Sequence, residues 1–178
     1  EVKGNAIIID TGSRPRAIPG IEFDGKRVIN SDHSTWSPDL PKRVIIRGGG
    51  ATGVEFATIY RDFGCEVTLV GRVVPNEDRE VSQQLTRSFT KAGIKIIPDY
   101  RPTAEDFNIT EGGVELRVKR DGKEERIEAD TLLVAIGRQG NIEDIGLEEL
   151  GIKTKDSYIV TDDFGFTGVD GVYAIGDV

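Results

Sequence analysis

The sequence predicts an α/β fold in three layers, built on a βαβαβ unit with a parallel sheet and an added antiparallel β-meander. Two observations predict this fold. Short apolar runs alternate with amphipathic helical segments between residues 43 and 97, and a strand-rich stretch with a hairpin signal follows. Parallel strands need long crossover connections, usually helices, whereas antiparallel strands are joined by tight turns. The two parts of the chain therefore predict two kinds of sheet.

The first 42 residues predict one strand and a long connection. Residues 5–9 form an apolar run that ends in the turn-forming residues 10–15. Prolines and glycines then interrupt the chain as far as Pro41, which indicates an irregular segment. His33 lies in a polar run inside this segment, and we expect it in a solvated loop.

Three buried strands and two helices are predicted between residues 43 and 97. The strands are the apolar runs at residues 43–46, 67–70 and 94–97. The helices are residues 52–63 and residues 78–92, each followed by glycine. Helical spacing predicts that the buried stripe of the first helix is Phe56, Ile59, Tyr60 and Phe63. The same spacing predicts that the buried face of the second helix is Val81, Leu85, Phe89 and Ala92.

The remaining strands are predicted to be antiparallel or short. Residues 113–119 and 124–128 flank Asp121-Gly122, and an Asp-Gly pair between alternating strands indicates a hairpin. Residues 131–136 predict a further buried strand that ends at Gly137. Residues 157–160 and 172–175 predict two more short strands.

Composition and charge exclude several kinds of protein. Of the 178 residues, 37% are hydrophobic, and 23 basic against 31 acidic residues give a net charge of −8. This charge repels phosphate and anionic lipid, so we expect neither a nucleic acid nor a membrane as partner. With one cysteine and one histidine, these residues form no disulfide framework and no Cys/His zinc site. We expect Cys65 to be a small, semi-buried side chain.

A glycine-rich turn joins the first strand of the βαβαβ unit to its helix. Residues 48–53 read Gly-Gly-Gly-Ala-Thr-Gly and match G-x-G-x-x-G, in the strand–turn–helix context in which this pattern binds dinucleotides. Gly48 permits the tight turn, Gly50 leaves room for a pyrophosphate, and Gly53 lets the helix approach the strand. The helix N-terminus favours the negative charge of the ligand. The sequence predicts a Rossmann-like dinucleotide site, and a tight turn with nothing bound is the alternative.

The end of the next strand bears on the choice between NAD and NADP. In a NAD site, an acidic residue about 20 positions after the turn binds the adenine ribose. Here Gly71 stands at that place and Arg72 follows it. A guanidinium can bind a 2′-phosphate in bidentate fashion, which favours NADP. The alternative is that Arg72 is a solvated loop charge, and both interpretations stay open.

Four ordered motifs resemble those of FAD-dependent pyridine nucleotide-disulfide oxidoreductases. They are residues 11–15, 48–55, 137–138 and 171–178. The resemblance covers essentially the whole chain, and residues 75–82 bring it closest to the dihydrolipoamide dehydrogenase group, whose members use NAD. It implies an FAD-domain-derived strand and connection at residues 1–40, an NAD(P)-binding Rossmann domain at residues 41–140, and a return segment at residues 141–178 that ends in an FAD-domain-type strand.

The resemblance also implies roles for individual residues. The dinucleotide would lie against Gly48, Gly49, Gly50, Ala51, Thr52, Gly53, Val54 and Glu55, with Glu55 near the nicotinamide. Gly137 would also contact the cofactor. The flavin-side residues would be Thr11, Gly12, Ser13 and Asp177, with Asp177 accepting a ribityl hydroxyl.

Four features depart from the family's pattern: two charged residues, a shortened loop around Gly71 and Arg72, and the aromatic pair Phe164 and Phe166. Arg47 stands where an apolar residue is usual, at the end of the strand before the glycine turn, and Asp10 stands where alanine is usual. A charge at position 47 must be desolvated, paired or turned outward. These departures, with the absence of methionine, suggest an excised or engineered piece of a flavoprotein.

We expect the chain to bind NAD or NADP and to present the nicotinamide for hydride transfer to FAD in an intact parent enzyme. That enzyme would supply the FAD and dimerisation domains, and we expect a cytoplasmic location. These residues lack the family's redox-active cysteine pair and its FAD glycine motif, so we expect no catalytic residue and no lipoamide reduction by the chain alone. The alternative is an isolated or engineered α/β scaffold with a weakened or disabled cofactor site.

Overall fold

The computed structural model describes residues 3–120 and 123–178, which form two compact units. The central unit is Arg16–Gly137. The terminal unit combines the described residues up to Pro15 with Arg138–Val178.

The helices and strands are numbered here in chain order. The helices are α1 (Ser31–Trp36), α2 (Ala51–Asp62) and α3 (Arg79–Lys91). The strands of the central unit are β3 (Val28–Ile29), β4 (Arg43–Arg47), β5 (Glu66–Val70), β6 (Lys95–Ile97), β7 (Phe107–Thr110), β8 (Gly113–Arg120), β9 (Lys123–Ala129) and β10 (Thr131–Val134). The strands of the terminal unit are β1 (Ile7–Ile9), β2 (Ser13–Pro15), β11 (Arg138–Gly140), β12 (Thr154–Lys155), β13 (Tyr158–Ile159) and β14 (Val172–Ala174).

A five-stranded parallel sheet, in the order β3-β10-β4-β5-β6, separates two hydrophobic cores of the central unit. Successive side chains of a strand point to opposite faces, so β4 contributes Ile45 to one core and Val44 and Ile46 to the other. The first core includes Leu116 of the antiparallel meander β7-β8-β9, and the second includes Ala57 of α2. This arrangement confirms the predicted Rossmann-like, three-layer α/β fold.

The segment predicted as an irregular connection holds β3 and α1. Val28 pairs in parallel with Leu132 of β10, which places β3 at one edge of the sheet. Asn30 then caps α1, because its side-chain oxygen accepts a hydrogen bond from the backbone N–H of His33 at 2.8 Å. The prediction of a loop at His33 was wrong, although the side chain is exposed as expected. A two-residue strand is too short to show a period in the sequence.

The buried face of α2 differs from the predicted stripe. Of the predicted stripe, Tyr60 is buried and Phe56 partly buried, whereas Ile59 is 44% exposed. Phe63, which follows the last residue of the helix, is 69% exposed. The buried residues of the helix are Gly53, Val54, Ala57 and Tyr60. Gly53 and Ala57 on this face allow the helix to lie close to the sheet, and that close approach turns Ile59 towards solvent.

In α3, Phe89 is buried and Leu85 partly buried, whereas Val81 is 54% exposed and Ala92, at the C-cap, is exposed. Of the predicted face, Leu85 and Phe89 therefore pack against the core, whereas Val81 and Ala92 do not. Cys65, expected to be semi-buried, is fully buried at 1% exposure, and burial raises the pKa of its thiol.

The predicted hairpin is present as an antiparallel pair. Strands β8 and β9 pair from Val114–Ala129 to Arg120–Lys123, and Asp121-Gly122 lies outside the described residues. Strand β7 adds a third strand that the sequence pattern did not predict, with Phe107 opposite Leu116.

The terminal unit contains three two-stranded pairings. The predicted strands near residues 5–9 and 172–175 pair with each other in parallel as β1 and β14. Strand β2, expected to be part of a turn, pairs antiparallel with β11, and β12 pairs with β13. The core of the unit consists of Leu147, Ile152, Ile159, Val172, Ala174 and Val178. The assignment of these segments to an FAD domain stays a prediction. No helix in the described part of the chain is long and apolar enough to cross a membrane.

Candidate functional site

The glycine-rich turn lies at the carboxyl edge of the parallel sheet, between β4 and α2. The backbone N–H of Gly48 donates to the carbonyl oxygen of Val70, the last residue of β5, at 2.9 Å. The N–H of Val74 donates to the carbonyl oxygen of Gly49 at 2.6 Å. These hydrogen bonds hold the turn against the end of the neighbouring strand.

The fold itself requires three of the glycines in this turn. A Cβ on Gly48 would lie 2.1 Å from the carbonyl oxygen of Ala135. A Cβ on Gly49 would lie 2.0 Å from the carbonyl oxygen of Arg72, and one on Gly53 would lie 2.0 Å from that of Gly48. The sequence pattern explained Gly48 and Gly53 in this way, whereas the close contact at Gly49 emerges only in the folded chain.

Gly50 differs from the other three glycines. It is the N-cap residue of α2, with φ −71° and ψ −174°, a backbone conformation that any residue adopts. A Cβ at this position would meet nothing within 4 Å. Neither packing nor strain therefore accounts for a glycine here. Close approach of a ligand would account for it, because the first N–H groups of a helix have no partner inside the helix.

A cleft of about 810 Å³ opens over the turn. The predicted site residues that line it are Gly48, Gly49, Gly50, Ala51, Thr52, Gly71, Arg72 and Gly137. The cleft is also lined by Arg47 at the end of β4 and by residues 99–101, which follow β6. The structure thus brings the ends of four neighbouring strands, β10, β4, β5 and β6, and the first turn of α2 around one opening.

Three residues of the predicted glycine motif do not line the cleft. Gly53 and Val54 are buried residues of α2, and Val54 belongs to the core beneath that helix. Glu55 is exposed on α2 outside the cleft lining. Their assignment to a cofactor stays a prediction.

The predicted flavin-side residues lie in the terminal unit, where three of them make polar contacts. Thr11 Oγ1 donates to the carbonyl oxygen of Asn141 at 2.7 Å. Ser13 Oγ donates to Asp177 Oδ2 at 3.4 Å and accepts from Arg138 Nε at 2.7 Å. The side chain of Asp177 is 75% exposed and therefore accessible to a hydroxyl donor. A Cβ on Gly12, whose φ is +67°, would meet nothing within 4 Å.

Arg72 forms an ion pair across the ends of two neighbouring strands. Its Nε donates to Oδ1 of Asp99 in the segment after β6. Both side chains remain open to solvent, at 71% and 52% exposure. Sequence reasoning missed Asp99 because it lies 27 residues away along the chain. The signal that could have found it is topological, since consecutive parallel strands end at the same edge of the sheet.

Arg47 is another cleft residue that sequence reasoning did not assign to the site. Its Nε atom is buried and has no hydrogen-bond acceptor among the described residues. Burial lowers the pKa of the guanidinium, and the positive charge of Arg101 lowers it further. Of the three outcomes expected for a charge at this position, the structure shows desolvation of Nε.

A second cleft, of about 980 Å³, lies near the amino ends of the strands. Two carboxylates in it are bound by backbone groups of the chain itself. Asp24 accepts from the N–H groups of residues 26, 27 and 28, and Asp130 accepts from those of residues 42 and 43. These contacts fix loops and strand starts, so the cleft over the glycine turn is the stronger candidate for a ligand site.

Comparison with known proteins identifies the family. All 178 residues match the model of the pyridine nucleotide-disulphide oxidoreductases, and the chain belongs to this family. It is 43% identical to dihydrolipoyl dehydrogenase of Rhizobium etli over 176 residues, covering 97% of this chain and 36% of that protein. The identity to dihydrolipoyl dehydrogenase of Bacillus subtilis is 39% over 175 residues, covering 97% and 37%.

Solved structures of flavoprotein disulfide reductases share the fold. LpdA from Mycobacterium tuberculosis has a TM-score of 0.85 at 30% identity, covering 97% of this chain and 37% of that one. The HOCl-induced flavoprotein disulfide reductase RclA from Escherichia coli has a TM-score of 0.83 at 28% identity, covering 99% and 40%. The chain spans about 37% of the length of curated dihydrolipoyl dehydrogenases such as that of Bacillus subtilis.

Proposed function

We propose that this chain is the nicotinamide-dinucleotide binding domain of a dihydrolipoyl dehydrogenase-like flavoprotein. The observation that supports the proposal most directly is the open space at Gly50. The cleft over it has the size of a small-molecule site, at about 810 Å³. Family membership supports the same conclusion.

The residues of the cleft fit a dinucleotide in three parts. The pyrophosphate would lie against Gly50 and the backbone N–H groups of Ala51 and Thr52, where the helix dipole favours negative charge. The adenine ribose would lie at the end of β5, beside Gly71 and Arg72. The nicotinamide would extend towards Gly137, beyond the end of β10.

When bound, the nicotinamide would supply or accept a hydride, and the chain itself would bind and orient it. In a longer protein the hydride would pass to FAD, with Thr11, Gly12, Ser13 and Asp177 on the flavin side. The dimerisation domain and the cytoplasmic location are part of the same proposal and rest on the relatives. The choice between NAD and NADP depends on Arg72, whose contact with Asp99 is reversible because both side chains are exposed.

A scaffold without a cofactor is the competing proposal. It explains Gly48, Gly49 and Gly53, because packing alone requires these glycines. It leaves Gly50 unexplained.

Titration calorimetry of the purified chain with NADH and with NADPH tests the proposed function. We expect saturable binding of at least one of them, with one site per chain. ADP-ribose, which keeps the pyrophosphate and lacks the nicotinamide, should compete for that site. If neither dinucleotide binds to the folded chain, the scaffold interpretation holds.

A further inference from the structure

The inference begins with the place of Arg47 in the sheet. Ile45, two residues earlier in β4, belongs to the core on the meander side, so alternation along the strand directs Arg47 to that same side. Arg47 is also the residue immediately before Gly48, and it lines the cleft over the glycine turn. Its guanidinium therefore lies at the cleft, on the opposite face of the sheet from α2.

Positive charges outnumber negative charges among the described side chains that line this cleft. The cationic side chains are Arg47, Arg72 and Arg101, and Asp99 is the one carboxylate among the described lining residues. Asp99 is bound to Arg72. Arg47 and Arg101 thus face the cleft without a carboxylate there to match them, although the whole chain carries a net charge of −8.

Two neighbouring guanidiniums are unfavourable without an anion. Burial and the charge of Arg101 both lower the pKa of Arg47, because each disfavours its protonated guanidinium. The buried Nε of Arg47 lacks an acceptor among the described residues. An oxyanion in the cleft would offset the repulsion between the two guanidiniums, which bind phosphate oxygens in bidentate fashion.

The position of Arg47 indicates which phosphate group of a dinucleotide the pair would bind. The pyrophosphate lies at the turn after the first strand of such a unit, whereas the 2′-phosphate lies at the end of the next strand. Arg47 ends β4 and adjoins the turn, while Arg72 follows β5. We propose that Arg47 and Arg101 form a cationic clamp that binds the pyrophosphate from the meander side, opposite the N-terminus of α2. This inference rests on the proposed function.

Inorganic pyrophosphate, NADH and NADPH, each titrated by calorimetry at low salt, test the clamp. The variants are Arg47→Ile, which places an apolar residue at the strand end, and Arg101→Gln, which changes an exposed side chain. Arg87→Gln on the exposed surface of α3 is the matched control for net charge. Circular dichroism confirms that each variant is folded.

We expect Arg47→Ile and Arg101→Gln each to weaken the binding of all three ligands by about tenfold, because each loses a charge-assisted contact. Arg87→Gln should leave all three affinities unchanged. Wild-type affinity for pyrophosphate in both clamp variants, or no pyrophosphate binding by the wild-type chain, would overturn the inference.

A loss confined to NADPH would also overturn it, because the pair would then bind the 2′-phosphate. If the wild-type chain binds pyrophosphate through these arginines but binds neither dinucleotide, the clamp is supported as a pyrophosphate site and the proposed function fails.

Discussion

Arg72 and Asp99 join the carboxyl ends of two neighbouring parallel strands: Nε of Arg72 donates to Oδ1 of Asp99, two residues beyond the end of β6. The pair lies at the place where the adenine ribose of a dinucleotide would bind. A 2′-phosphate would have to compete with the carboxylate for the guanidinium. In a bound complex Asp99 would therefore act against NADP, in the same direction as the acidic residue that is missing at Gly71.

Removing the charge of Asp99 should favour NADPH. Asp99→Asn releases Arg72 and removes repulsion of the phosphate, so we expect NADPH affinity to rise by up to about tenfold relative to NADH. Arg72→Ala should lower NADPH affinity, and the effect should shrink at high salt because both groups are exposed. Titrations of each variant with NADH and with NADPH at two salt concentrations measure these changes in affinity. An unchanged ratio of affinities in both variants would identify Arg72 as a solvated loop charge.

Replacing Gly71 with glutamate would restore the acidic residue of a NAD site, but it would also strain the backbone. Gly71 has φ +134°, a conformation that strains other residues, and a Cβ there would lie 3.3 Å from the backbone nitrogen of Gly49. We expect Gly71→Glu to lower the melting temperature as well as change affinity. Differential scanning calorimetry measures the stability separately from the affinity. A melting temperature equal to that of the wild type would contradict the predicted backbone strain.

Gly50→Val and Gly49→Val should behave in opposite ways. Gly50→Val keeps the fold, at a cost of about 1 kcal/mol for the altered N-cap, and should weaken dinucleotide binding roughly tenfold or more. Gly49→Val forces a side chain against the carbonyl of Arg72 and should cost about 3 kcal/mol or more of stability. Chemical denaturation and titration measure the two quantities. Equal dinucleotide affinities for Gly50→Val and the wild type would mean that the turn is purely architectural.

The buried face of α2 can be tested by a second pair of substitutions. Ala57 is 0% exposed, so Ala57→Leu should overpack the core beneath the helix and cost about 1–3 kcal/mol. Ile59 is 44% exposed, and Ile59→Gln should change the free energy of unfolding by no more than about 0.5 kcal/mol. Urea denaturation of both variants provides the measurement. If Ile59→Gln lowers the free energy of unfolding more than Ala57→Leu does, the buried face predicted from hydrophobic spacing is correct instead.

The ion pair between Arg14 and Glu143 in the terminal unit should stop contributing stability in acid. Hydrogen bonds from Arg14 lower the pKa of Glu143 from 4.5 to about 2. A carboxyl whose folded pKa is depressed contributes stability above its unfolded pKa and loses it as pH falls through the folded value. The contribution should therefore be present above pH 4.5 and be lost towards pH 2.

Glu143→Gln should lower the melting temperature at neutral pH, and its difference from the wild type should shrink as the solution becomes more acidic. Glu148→Gln, at an exposed position in the same unit, is the control. If the difference in melting temperature between Glu143→Gln and the wild type does not change with pH, Glu143 does not have the lowered pKa.

The sequence by itself determined the parts of this protein that depend on local chemistry. The apolar run of β4, the glycines after it and the helical period of α2 follow one another within 20 residues, so they predict a strand, a turn and a helix without reference to the rest of the chain. The pairing of β8 with β9 follows in the same way from alternation on either side of an Asp-Gly pair.

Only the tertiary structure decided the features that join residues distant in sequence. Strand β3 forms because β10 offers it a partner, and no run of two residues encodes that pairing. Ala57 is buried in preference to Ile59 because α2 packs closely on the sheet, where shape outweighs hydrophobicity. The contact of Arg72 with Asp99 and the desolvation of Arg47 arise for the same reason: parallel strands bring their ends to one edge, and the identity of the neighbours there depends on the strand order.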